Sequence, residues 1–174
     1  RKESSAASDV YKRQILMGWS MGGAVALQTA LNSGNRDRIA GLILESPVID
    51  WRSVLRFQAR AAGMRAPLPD LAMSALSVPL TARLSGAENA ISFDSLDIVA
   101  RADELKVPIL ILHSDDDGFV PADASHALQQ ARPDLVTMPA FSGARHTKIW
   151  NYDQTGWSDA ITGWLAAQGF SASA

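Results

Sequence analysis

Apolar positions gather into four short runs along the chain, at residues 15–17, 39–44, 107–112 and 135–138, and turn residues follow each one. Such runs read as strands buried on both faces of a sheet. Between most of them the spacing turns helical. In "MGGAVALQTALNSG" Gln28 and Asn32 stand four apart on one wet face, with apolar neighbours elsewhere and Ser33-Gly34 as a stop. After Pro121, which suits a first helical position, Ala124, Ala127, Leu128 and Ala131 recur until Pro133. Near the end, Trp157, Ala160, Ile161, Trp164 and Leu165 fall at i, i+3, i+4, i+7 and i+8, a stripe that can pack on a sheet. The alternation predicts an α/β fold, with parallel strands flanked by helices and joined as βαβ units.

About sixty residues between the second and third runs contain no strand pattern. They are rich in Ala, Leu, Met and Arg and broken by Pro67, Pro69 and Pro79, so a helical cap insertion over residues 51–104 is expected. Arg52, Arg56 and Arg60 lie four apart on one helix face. A solvated stripe is the plain reading, and a grip on an acidic substrate is the alternative. No internal repeat or low-complexity tract is found.

Composition narrows the field. With 174 residues, 47% hydrophobic and 20% charged, the chain is one globular domain with room for a core. A net charge of −2 announces no basic face for nucleic acid or an anionic membrane, and a neutral small molecule fits better. Cysteine is absent, which excludes disulfides, thiol catalysis and the usual zinc spacings. No apolar run approaches the roughly 18 residues of a membrane-spanning helix.

Residues 4–14, "SSAASDVYKRQ", back-translate without strain to the adapter that transposase-based sequencing kits attach to DNA ends. Residues 1–14 are therefore set aside as a non-native, adapter-derived segment and 15–174 are taken as the natural stretch. Arg1, Lys2, Lys12, Arg13, Glu3 and Asp9 go with that segment, which leaves 12 basic against 16 acidic residues, a net charge of −4. The compartment stays open, with a lean towards the cytoplasm.

The chemistry begins at Gly18-Trp19-Ser20-Met21-Gly22-Gly23, which follows the first strand and opens the first helix. That context turns G-x-S-x-G into a nucleophile turn with Ser20 at its tip. Gly18 and Gly22 are expected where a side chain would collide with backbone, and Gly23 where the helix lies close to the sheet. The Met21 N–H, unpartnered at a helix start, points to where an oxyanion would form. Serine needs a base, and the chain has three histidines. His126 lies mid-helix and reads as a surface residue; His113 ends a strand and reads as buried and structural; His146, in the loop "SGARHTK", remains. The acid lies in "ILHSDDDGFVP". Those aspartates do not read as a calcium loop: with Gly118 at the sixth position the twelfth is Ala124, where a bidentate glutamate is required.

Three motifs together resemble α/β-hydrolases, specifically bacterial enzymes similar to serine aminopeptidases and the prolyl-oligopeptidase-like group. They are the nucleophile turn; His113-Ser114-Asp115-Asp116-Asp117-Gly118-Phe119-Val120-Pro121; and Gly143-Ala144-Arg145-His146-Thr147 followed by Trp150-Asn151-Tyr152-Asp153. Ser114 stands where that family usually has Gly, and Gln154 where it often has Pro. The resemblance implies that the acid is Asp117, three residues before the Val-Pro pair, and that Ser20, Asp117 and His146 form a catalytic triad in that chain order. Asp115 and Asp116 are then turn formers or solvated charges, and Trp150 and Asn151 fix the histidine loop by packing and hydrogen bonding.

For the full-length parent it implies acyl transfer to water from an ester or a peptide, with no cofactor and no metal. Transfer to another acceptor, or a binding protein on the same fold, are the alternatives. In this fold several strands and helices precede the nucleophile turn and supply a second oxyanion donor. The expectation is therefore a C-terminal part of the domain carrying the last four strands, with residues 15–17 at an open sheet edge, poorly soluble and nearly inactive as written.

Overall fold

The computed structural model describes residues 14–170. The adapter-like segment, except Gln14, lies outside the described residues. Strand β1 (Gln14–Trp19) leads through a sharp turn into helix α1 (Met21–Asn32) and then β2 (Ile39–Glu45). The long connection carries α2 (Trp51–Ala61), α3 (Leu68–Ser77) and α4 (Pro79–Leu84). Next come β3 (Ile109–Ser114), α5 (Asp123–Ala131), two short strands β4 (Val136–Thr137) and β5 (Ala140–Phe141), then α6 (Ile149–Tyr152) and α7 (Gln154–Ala167).

The strands run parallel in the order β1-β2-β3-β4, with Leu42 opposite Leu16 on one side and Ile109 on the other. β5 also pairs with β3, starting three residues further along than β4 reaches. The fourth strand expected over 135–138 is shortened to β4, and β5 is a further piece beyond Pro139, which has no N–H to give a ladder. Helix α5 begins two residues after Pro121, so this proline precedes the helix rather than opening it.

Burial explains the unbroken apolar runs of β2 and β3. Leu42, Leu44, Ile109 and Ile111 face one core with Leu27, Leu31 and Leu128 of the helices. Ile43, Leu110 and Leu112 face the other, under Trp164 of α7. Alternate residues enter opposite cores, so each position must be apolar. Gly41 makes room for the α7 stripe, since a Cβ there would meet the Trp164 ring at 2.8 Å.

Asp50 caps α2 through the N–H groups of Arg52 and Ser53. The arginine stripe on that helix is largely paired: Arg52 binds Asp94 at 2.8 Å and Arg56 binds Asp70 at 2.7 Å. After α4 the chain returns to the sheet and buries Ile98, Ala102 and Leu105 in the first core. There Arg101 bonds to Glu104, Asn32 and the Ser95 carbonyl. The wet face expected at Gln28 and Asn32 therefore holds that returning segment, with Gln28 donating to the same Ser95 carbonyl.

Candidate active site

Ser20, Asp117 and His146 all lie past the carboxyl ends of strands, at the rim where a parallel sheet presents its loops. Ser20 joins β1 to α1 with φ 52 and ψ −123, a conformation that persists only where surroundings hold it. Its N–H donates to the Glu45 carbonyl at 2.9 Å, and its carbonyl accepts from Gly23 at 3.0 Å and Val48 at 3.2 Å. A Cβ on Gly18 would lie 2.5 Å from the Gly22 carbonyl oxygen, so only glycine fits there. Gly22 is different from the expectation: nothing lies within 4 Å of a Cβ built on it. The second crowded position is Gly23, where a Cβ would stand 2.7 Å from that of Pro47, and this lets α1 close on the segment leaving β2.

The Ser20 hydroxyl turns away from the helix that it precedes and reaches His146, whose Nε2 is 2.9 Å from Oγ. Nδ1 of the same ring is 2.8 Å from Asp117 Oδ2. An ionised carboxylate only accepts, so Nδ1 donates to Asp117, and in the neutral ring Nε2 can accept from the serine hydroxyl. Phe119 lies against the imidazole, ring centroids 5.1 Å apart.

The Asp117 side chain has no exposed surface. Its Oδ1 accepts from the N–H groups of Phe119 and Val120, both at 2.9 Å, and its Oδ2 also lies 3.4 Å from His113 Nε2. Burial opposes ionisation here, but the bonds from His113, His146, Val120 and Phe119 outweigh it and hold the carboxyl well below the usual range. The loop that follows the acid is thus wrapped around it.

The other candidates take definite places. Met21 opens α1 beside Ser20, and its N–H has no acceptor among the described residues. His113 is buried, with Nδ1 2.8 Å from Ser125 Oγ and Nε2 3.0 Å from the Val120 carbonyl. His126 is partly exposed and pairs with Asp115 at 2.7 Å. Asp116 accepts from the Gly143 N–H at 2.6 Å, so the two aspartates expected as turn formers or free charges each have a partner. Trp150 packs edge-on against Trp157 with centroids 5.0 Å apart. Asn151 is exposed, and its side chain makes no hydrogen bond among the described residues, so of these two side chains only that of Trp150 contributes, by packing. Among the described residues no group of three or more His, Cys, Asp or Glu could hold a metal ion, and no helix is long and apolar enough to cross a membrane.

Residues 4–159 match the alpha/beta hydrolase family. The chain belongs to that family. The match begins inside the adapter-like segment and extends into α7. Among curated proteins no relative matches. Among solved structures, the α/β hydrolase chain resembles an esterase from Rhodococcus sp. ECU1013, at 17% identity and a TM-score of 0.58, covering 94% of this chain and 69% of that one. It also resembles a monoacylglycerol lipase from Paleococcus ferrophilus, at 22% identity and a TM-score of 0.57, covering 94% and 72%. An acylaminoacyl peptidase from Pyrococcus horikoshii matches at 18% identity and a TM-score of 0.62, with 90% of this chain covered but only 24% of that one.

Sequence reasoning missed the anchors of the histidine loop, Glu45 and Ser46 at the end of β2 and Asp116 after β3. One signal was available: in "IAGLILE" a carboxylate closes a run that is otherwise wholly apolar.

Proposed function

We propose that this α/β hydrolase cleaves an ester or amide bond through an acyl-enzyme formed on Ser20. The hydrogen-bonded series Ser20 Oγ, His146 Nε2, His146 Nδ1 and Asp117 Oδ2, with separations of 2.9 and 2.8 Å, carries the reading. As Oγ attacks the carbonyl carbon, its proton passes to Nε2, and the buried Asp117 carboxylate stabilises the imidazolium. The charge that builds on the carbonyl oxygen meets the free Met21 N–H at the positive end of α1. His146 then returns the proton to the leaving group, and a water molecule, deprotonated by the same ring, releases the acyl group.

A small ester or peptide is the substrate class that this site fits, and the reading calls for no cofactor and no metal. Residues 51–104, with helices α2 to α4, form the cap in this reading, and residues 1–14 remain set apart as adapter-derived. Paired assays on p-nitrophenyl esters and peptide p-nitroanilides test it and tell ester from amide. Ser20→Ala and His146→Ala are expected to lower kcat by on the order of a millionfold. Turnover that survives both changes would overturn the proposal.

A further inference from the structure

The mechanism leaves one buried carboxylate unused. Glu45 ends β2 with its residue only 7% exposed, and no cation pairs with it among the described residues. Two neutral donors satisfy it instead. Oε1 lies 3.3 Å from the Ile149 N–H nitrogen, and Oε2 lies 3.1 Å from Trp157 Nε1. Ile149 opens α6, three residues after His146, and Trp157 lies in the first turn of α7. The neighbouring Ser46 adds a third tie, its Oγ accepting from the Thr147 N–H at 3.3 Å. Both Ser46 and Thr147 hold positive φ, 47° and 51°, which marks a junction kept in place by its surroundings.

The backbone of Glu45 faces the other partner in the chemistry, since its carbonyl accepts the Ser20 N–H at 2.9 Å. One residue therefore grips the nucleophile through its main chain and the histidine loop through its side chain. An isolated buried carboxylate is costly unless donors meet it. Two acceptor oxygens meet two donors here, an arrangement that a glutamine of the same shape cannot copy, because its NH2 would face an N–H.

We infer that Glu45 is a positioning residue, whose carboxylate sets the distance between His146 and Ser20 by holding Ile149 and Trp157. The inference deepens the proposed function and rests on it. Three variants test it: Glu45→Gln, Trp157→Phe and the two combined. Displacements near 1 Å at a reacting pair cost up to about 100-fold. Glu45→Gln is thus expected to lower kcat and the rate of fluorophosphonate labelling about 10- to 100-fold, with KM within about twofold. Trp157→Phe removes the donor that the glutamine NH2 would oppose, so the double variant should regain at least about threefold over Glu45→Gln.

A folded Glu45→Gln protein with wild-type kcat would overturn the inference, and so would losses that simply multiply in the double variant. If Glu45→Gln does not fold, the double variant, free of the opposed donors, carries the kinetic comparison. NMR supplies a readout that needs no turnover. In the single variant the Trp157 indole and His146 ring signals should both move while those of His126 stay; movement at Trp157 alone would sink the inference. Failure of wild type to label at all would count against the proposed function, and the NMR outcome would still decide the role of Glu45.

Discussion

In the proposed mechanism the serine hydroxyl attacks a carbonyl only while a base takes its proton, so among single residues the acid that steadies the base matters most. Asp117 is held well below the ordinary carboxylate range by bonds from His113, His146 and two backbone N–H groups, against the effect of its burial. Its folded pKa is lower than the value of about 3.9 expected when unfolded. The stabilisation is therefore complete above about pH 4 and disappears as pH falls towards the folded value. Urea unfolding at pH 7 and pH 3 should show a larger loss of stability in wild type than in Asp117→Asn. An equal loss would show that this carboxylate does not couple to folding. The same variant should keep its fold but lose about 10⁴ in kcat, because the imidazole loses the acceptor that sets its tautomer.

At the scale of elements, the turn between β1 and α1 separates two glycines that look alike in the motif. Gly18→Ala would set a methyl 2.5 Å from the Gly22 carbonyl oxygen, and Gly22→Ala would meet nothing within 4 Å. Gly18→Ala should cost more than about 2 kcal/mol of unfolding free energy and most of the activity, as overpacking against backbone does. Gly22→Ala, at a helical position, should be neutral or gain up to about 1 kcal/mol. Thermal melts and labelling rates of the two variants check this contrast, and equal effects would contradict the described turn.

These elements also show what could be read in advance. β2 and β3 were legible because both of their faces are buried, and the α7 stripe because Trp157, Ile161 and Trp164 mark one side of a helix. Ser20 is marked by its turn and His146 by its loop, whereas Asp117 is told from the two aspartates before it only by the family resemblance. The ties of Glu45 to Ile149 and Trp157 span more than a hundred residues, and local spacing is blind to them. The free space at Gly22 and the pairing of Arg52 with Asp94 were hidden for the same reason.

For the molecule as a whole, the side of the sheet that carries β1 stands out. Among the described residues β1 pairs with β2 alone. Beside that edge Met17, Trp19, Met21 and Val25 are between 45% and 62% exposed. An open strand edge next to apolar surface favours self-association. Sedimentation of the chain should therefore show concentration-dependent association, reduced when Met17 and Val25 are both changed to Lys. A monodisperse monomer at high concentration would contradict this.

The central claim is that the hydroxyl of Ser20 is activated by His146 across a 2.9 Å hydrogen bond. Its most direct measurement is mass spectrometry of the protein after exposure to a fluorophosphonate, with the modified peptide sequenced. One adduct is expected, on Ser20, and it should be absent in His146→Ala although that variant remains folded. An adduct on another residue, or an undiminished adduct on Ser20 without His146, would contradict the claim.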